Sequence, residues 1–349
     1  MISTNISSKI VIIGTGLDGK GGIAVLLRSY SRILQPFYYI CSHRSTNRIF
    51  QIGLAIIALF KTIFYCIFYR VQIVHIHTAS YRSFFRESIY VFIAKIFHKK
   101  VILHLHGGEF EIFYKRYPRY CNYVCRSADC VIAVSEYFGR VFKKLDLNEN
   151  VFVLYNIIEK PFFEKSNLQH DKLRILFLGT IDENKGIFDV IDCFINEKQD
   201  LRDKIIFDIG GVGDCLRLQE MIRVGGIDDF VNYHGWLDAE NKNKLLSQAD
   251  LYIQPSYFES LGIAILEAMS YRIPVIASDT GGIPELVHDG ENGFLIQPGN
   301  MCQFYNKLKY FIEHRDALKT MGDKSYTVAI EFYPENIEKK IGEIYKSLL

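Results

Sequence analysis

At 349 residues the chain is longer than one hydrophobic core ordinarily supports, so two domains are expected. Its 49% hydrophobic and 23% charged residues, with no low-complexity tract, exclude the disordered and fibrous classes. The net charge of +2 divides into +12 through Lys165 and −10 beyond it; the basic half suits anionic headgroups or phosphates, the bland alternative being uneven surface composition.

In chain order, "MISTNISSKIVIIGTG" runs straight into a first strand with no secretory signal, so cytoplasmic residence with reduced thiols is the expectation. The eight cysteines follow no metal-ligand spacing: Cys121, Cys125 and Cys130 in "CNYVCRSADC" lack the His or paired CxxC that a zinc site needs. Short β-branched runs, "KIVIIG", "FYYIC", "VQIVHIH", "KKVILHLHG", "DCVIAVS" and "VFVLYN", alternate with longer amphipathic stretches. Continuous apolar strands separated by helices predict a parallel sheet covered on both faces.

One segment competes with that reading. Ile49 to Tyr69 is long and apolar enough to be weighed as a membrane span, but Lys61 near its middle would cost roughly 2.5 to 3.5 kcal/mol on an insertion scale. Lying between two strands, it is expected to be a crossover helix, one face of which can touch a bilayer. The next stretch, "YRSFFRESIYVFIAKIFHKK", mixes aromatic and basic residues as an interfacial surface does, or as a half-buried helix does.

After Asn156 the pattern breaks. "IIEKPFFEKSNLQHDK" has a proline, mixed charges and no period, which predicts an interdomain linker over 157–172. The alternation then restarts with "LRILFLG", "KIIFDIGG", "FVNYHG", "DLYIQPS", "IPVIAS" and "NGFLIQP", so a second doubly wound unit is predicted. A last helix after Pro334 carries Ile337, Ile341, Ile344 and Leu348 on one stripe and is expected to pack back on the first domain.

The chemistry concentrates in "PSYFESLGIAILEAMS", Pro255 to Ser270. A strand ends near Ser256 and a helix starts near Leu261 or Gly262, whose free amides favour a phosphate that Gly262 lets approach the backbone. Glu267 lies about five residues into the helix, roughly 7 to 8 Å along its axis, a reach from a diphosphate to the ribose of the same nucleotide. Glu259 precedes the helix and would face what is attached on the other side, so the spacing fits a nucleotide-activated sugar. The bland reading makes Glu259 a solvated loop residue and Glu267 a surface carboxylate, which the apolar neighbours in "AILEAM" make awkward.

This E-x7-E pattern, within "PSYFESLGIAILEAMSYRIPVIASDTGGIPELVHDGENGFLI", resembles the retaining family 4 glycosyltransferases, glycosyl transferases group 1, over nearly the whole chain. The resemblance implies an α/β GT-B fold of two Rossmann-like doubly wound domains facing each other across a cleft. Residues 1–156 would bind the acceptor, 173–333 the nucleotide-sugar donor, and 334–349 would form the returning helix. It implies transfer of a hexose-type sugar from a nucleoside diphosphate donor, UDP being the commoner choice, with retention and without a metal or other cofactor. Glu259 would hold the hexose hydroxyls, Glu267 the ribose, and the backbone at Ser260, Leu261 and Gly262 the sugar and diphosphate.

Other positions match by residue. In "LGTIDENKG", Lys185 corresponds to the lysine that neutralises the diphosphate, while Thr180 stands where the family carries arginine and cannot offer its bidentate fork. Gly21 and Gly22 match an N-terminal Gly-Gly turn that lets backbone approach donor phosphate or acceptor; alone, the loop lacks the dinucleotide fingerprint spacing. His106 in "HLHGGEF" resembles the family histidine at the donor hexose, and His75 and His77 in "HIHTAS" are expected at the acceptor cleft, the competing reading being satisfied core histidines. Zinc on these histidines is not expected, since two strands alone supply no carboxylate to complete a shell. The acceptor is expected to be lipid-linked or a growing polysaccharide such as a capsule, exopolysaccharide or O-antigen precursor, with peripheral contact to the inner membrane face and no nucleic-acid partner. A soluble acceptor, or a nucleotide-sugar binding protein whose activity has decayed, is the alternative.

Overall fold

The computed structural model describes residues 2–19, 21–165 and 171–349. Part of the expected linker, residues 166–170, lies outside them. The chain divides into two compact units, one of residues Met1–Ile157 with Pro334–Leu349, the other Ile158–Tyr333.

The first unit contains β1 (Ile10–Thr15), β2 (Tyr38–His43), β3 (Ile73–Thr78), β4 (Lys100–Leu105), β5 (Cys130–Ala133) and β6 (Val151–Val153). All pair in parallel in the order β2-β1-β3-β4-β5-β6. The second contains β7 (Leu173–Leu178), β8 (Ile205–Gly210), β9 (Val231–Tyr233), β10 (Leu251–Gln254), β11 (Val275–Ser278) and β12 (Gly293–Ile296), parallel in the order β12-β11-β10-β7-β8-β9. In each sheet the order in which strands are added reverses once, between β1 and β3 and between β7 and β10. At such a reversal the loops leaving two adjacent strands part, and ligands of open α/β sheets bind in the gap.

One face of the first sheet, carrying Ile10, Ile12, Ile73, Ile102 and Ile132, is sealed by the Gly22–Ile33 helix and by the returning Pro334–Leu348 helix. The returning helix buries Ile337, Ile341, Ile344 and Tyr345, while Leu348 is only partly covered, so the seam is wider than the expected isoleucine stripe. In the second unit the residues after the break are anchored: the backbone amide of Phe162 donates to Tyr271 Oη at 3.0 Å. Its core runs from Leu173 and Phe177 on β7 through Phe194, Phe207 and Leu218 to Phe304 and Phe311.

The Arg48–Phe68 helix is the crossover between β2 and β3, capped by Asn47, which accepts from the Phe50 amide at 2.9 Å. It packs on β2 and on the Arg82–Ile96 helix. Its buried residues are the small Ala58, Thr62 and Cys66, spaced four apart, and Thr62 satisfies its hydroxyl on the Ala58 carbonyl at 2.8 Å. The bulky side chains therefore point outward, and only 17% of its most apolar window is buried.

Candidate donor site

The loops leaving β7 and β10, the two strands that flank the reversal of the second sheet, are laced together. After β7 the chain passes Gly179 and Thr180 into a single turn, Glu183–Lys185, capped by Asp182, whose carboxylate accepts from the Lys185 amide at 2.9 Å. From this turn the Asn184 carbonyl accepts from the Tyr257 amide at 2.7 Å, and the Asn184 side chain donates to the Phe258 carbonyl at 3.2 Å. Gly186 sits at φ +67, where a Cβ would stand 2.2 Å from the Pro255 carbonyl oxygen; only glycine lets the two loops come so close.

This lacing delivers Lys185 Nζ onto Glu259 Oε2 in a direct ion pair, with the side chains 21% and 16% exposed. The Glu259 backbone is held from the far side, its carbonyl accepting from the Gly282 amide at 3.0 Å. Gly281 has φ +56, and a Cβ there would fall 1.9 Å from the Glu259 carbonyl oxygen. Gly281→Ala is therefore expected to destabilise the protein by at least about 1–2 kcal/mol, the usual penalty for a side chain in the left-handed region, and to displace Glu259. Urea unfolding measures the first effect; an unchanged midpoint would contradict it.

Ser260 is half-buried, Leu261 is buried, and Gly262 (φ +97) opens the Ile263–Ser270 helix with no side-chain cap. Glu267 projects from that helix, 22% exposed, and accepts from Lys242 Nζ at 2.5 Å. Lys242, on the Ala239–Gln248 helix, lines a cavity of about 150 Å³ with Thr180, Gly211 and Trp236. Sequence reasoning missed Lys242 and Trp236. A lysine on a polar amphipathic helix carries no signal, though a single tryptophan in "HGWL" after a strand was a readable one.

The expected residues of the first unit behave unequally. Gly21 is the N-cap and Gly22 the first residue of the Gly22–Ile33 helix, both exposed after β1, and open space surrounds the place of a Gly21 Cβ. His75, His77, His104 and His106 form a ladder across β3 and β4, successive rings stacking at centroid distances of 4.1 to 5.4 Å. The expectation for His75 and His77 is corrected. His75 is fully buried, hydrogen-bonded through Nδ1 to Tyr345 Oη at 2.8 Å and through Nε2 to His104 at 3.3 Å. His77 is 2% exposed, with Nδ1 on His106 Nε2 at 3.0 Å. The sealing helices close over this face of the sheet and leave neither ring open to an acceptor; of the four, only His106, past the end of β4, is partly exposed.

Burial is the largest cause holding all four rings neutral. It takes His75 and His106 down to about 3 and His77 and His104 well below the ordinary value, with the neighbouring histidines adding to the effect on His75, His77 and His104. Nitrogens of His75, His77 and His104 lie within 4.8 Å of one another. Of these, His75 Nε2 and His104 Nδ1 are engaged with each other in the 3.3 Å hydrogen bond between the two rings. A cavity of about 1120 Å³ lies in the first unit. Lys95, Tyr123, Arg126, Asp129 and Asp146 line it, near the amino-terminal ends of β4 and β5.

The chain is similar to known proteins in sequence and in fold. A 272-residue stretch is 26% identical to an uncharacterized 41.2 kDa protein in the cps region of Klebsiella pneumoniae, covering 72% of each chain. The structure superposes on Anabaena Alr3699/HepE, solved with UDP and glucose, with a TM-score of 0.78 at 19% identity, over 97% of this chain and 100% of the other. On the sucrose-phosphate synthase of Thermosynechococcus elongatus the TM-score is 0.80 at 17% identity, over 97% and 98%. The shared fold is GT-B, two doubly wound α/β units. Residues 22–160 match the model described as Glycosyltransferase Family 4 and residues 159–328 the model described as Glycosyl transferases group 1. The chain thus belongs to the group 1, family 4 glycosyltransferases, with the matched regions meeting where its two units join.

Proposed function

We propose that the protein transfers a hexose-type sugar from a nucleoside diphosphate donor, a UDP-sugar first among candidates, to a lipid-linked or growing polysaccharide acceptor, with retention and without a metal. The Lys185–Glu259 pair at the strand reversal, beside the uncapped helix at Gly262, carries this reading. Without donor the two charges neutralise each other. A diphosphate arriving at the helix amides draws Lys185 to itself and frees Glu259 for hexose hydroxyls. Glu267 exchanges Lys242 for the ribose hydroxyls, and Ser260, Leu261 and Gly262 offer backbone to the sugar and diphosphate. Thr180 contributes a hydroxyl beside the phosphates, and Gly21, Gly22 and the partly exposed His106 are the first-unit groups for donor or acceptor.

As the bond from the anomeric carbon to the diphosphate breaks, negative charge grows on the departing oxygen, where Lys185 and the helix amides stabilise it. The acceptor oxygen forms its bond to the same face of that carbon, and its proton passes to the departing phosphate oxygen. Capsule or related polysaccharide synthesis draws support from the Klebsiella relative's place in a cps region, and a UDP donor from the ligands of the Anabaena protein. A cytoplasmic protein working at the inner membrane face is the matching location. A binding protein with decayed transfer is the second reading, favoured only by Thr180 in the arginine's place.

A thermal-shift panel of UDP, GDP, ADP and their sugars tests the reading. At a hundredfold excess over its dissociation constant the true ligand adds about 2.7 kcal/mol of stability and raises the melting temperature. Lys185→Ala should abolish most of that shift. If no nucleoside diphosphate moves the wild-type midpoint, the donor reading fails.

A further inference from the structure

The Arg48–Phe68 helix is built inside out. Its sheet-facing stripe is Ala58, Thr62 and Cys66, and its solvent face carries Ile49 (85% exposed), Ile52, Ile56, Phe60 (66%), Phe64, Ile67 and Phe68 (71%). At about 1.5 Å per residue this is a ridge roughly 31 Å long. The adjoining Arg82–Ile96 helix extends it with Phe85, Ile89 and Ile96 along its own exposed face. A contiguous apolar surface of this size on a folded unit marks a contact site.

We infer that this ridge seats the first unit on an anionic lipid bilayer, lying flat in the interface. Charge selects the occupant. From Arg44 to Arg86 the sequence has six Lys and Arg and no Asp or Glu. The next acid, Glu87, is buried and already held by Ser42 at 2.7 Å and Arg86 at 2.8 Å. Over residues 44–127 there are thirteen cations against three acids. Lys61 is exposed one residue, about 100°, round the helix from Phe60, at the margin of the apolar face, from which its ammonium reaches headgroups. Two copies joined symmetrically through this surface would set those cations against their own images, whereas anionic headgroups neutralise them.

Length alone would allow the helix to span, but its ends do not. They lead into β2 and β3, which hydrogen-bond to opposite edges of β1, so both ends belong to one sheet. The helix therefore embeds its outer face only, to the depth of the headgroup and acyl boundary.

The lipid surface does not depend on the donor reading, so vesicle binding is measured without nucleotide sugar and donor binding without vesicles. The full chain is expected to co-sediment with vesicles containing phosphatidylglycerol and to bind pure phosphatidylcholine about tenfold or more weakly, since each interfacial cation adds about 1 kcal/mol. The triple variant Ile56→Ser, Phe60→Ser, Phe64→Ser removes only exposed side chains. It should bind such vesicles about a hundredfold or more weakly while keeping the wild-type melting temperature. Ile56→Trp should be quenched by bromine-labelled acyl chains, with wild type, whose single tryptophan is Trp236 in the other unit, as the reference. Protein left in the supernatant, an unquenched Ile56→Trp, or a dimer in light scattering that the triple variant dissolves would overturn the inference, the last in favour of self-association.

Discussion

Lys185→Ala should lower transfer by about 10² to 10³-fold, the usual cost of removing one preorganised group that stabilises developing negative charge, equivalent to about 2.7–4 kcal/mol. Lys185 reaches its place through three devices: the Asp182 cap, the Asn184 bonds to the β10 loop and the close approach at Gly186. The ammonium is thus fixed where the leaving diphosphate is proposed to sit. Glu259→Ala should cost turnover comparably, by loosening the hexose. Both changes break one largely buried ion pair and leave its other member without that partner, so folding stability should fall by about 1–3 kcal/mol. The diagnostic is the division between constants. A group acting only in the ground state raises KM and spares kcat, whereas one acting on the departing charge lowers kcat. Donor hydrolysis or transfer to an envelope lipid extract supplies the assay. A Lys185→Ala enzyme within a few fold of wild type in kcat would remove that residue from the chemistry.

The second large effect is on stability against pH. The four-histidine ladder is neutral in the fold, while the unfolded chain binds protons on the same rings below about pH 6.5. The native-state values are depressed, so this contribution is complete above pH 6.5 and is lost as the pH falls toward about 3, the value for His75 and His106. Each ring costs about 1.4 kcal/mol per pH unit over that interval. At pH 5.5 His75 should have removed about that much, and His77, His104 and the partly exposed His106 act in the same direction. A drop of this size is a large share of the stability of an ordinary domain. His75→Gln can still hydrogen-bond to Tyr345 but does not titrate. Urea midpoints at pH 7.5 and 5.5 should show its pH slope reduced by one histidine's share, and a slope equal to wild type would refute the assignment.

All twelve strands were legible because parallel strands covered on both faces leave unbroken apolar runs, of which "KIVIIG" and "LRILFLG" are typical. The loop positions of Glu259 and Lys185 were legible, since strand ends, glycines and helix starts are local signals. What faces a strand side chain is not local. His75 and His77 alternate on β3 as cleft residues would, and the two covering helices, with Tyr30 against both rings and Tyr345 seated on His75, make them core. The Arg48–Phe68 stretch was ambiguous for a related reason: a helix apolar on every side does not say which side the sheet takes, and here the small residues took it. Lys242 stayed hidden because its partner Glu267 lies 25 residues away on another helix.

The seam between the first sheet and its returning helix has a consequence for biosynthesis. Residues 158–333 form a continuous module that can finish folding as it leaves the ribosome, while the sheet begun before it waits for Ile337, Ile341 and Tyr345 to emerge. The earlier-made half is thus the later to mature, and a nascent chain stalled before Pro334 would present to chaperones a sheet face covered by the Gly22–Ile33 helix alone.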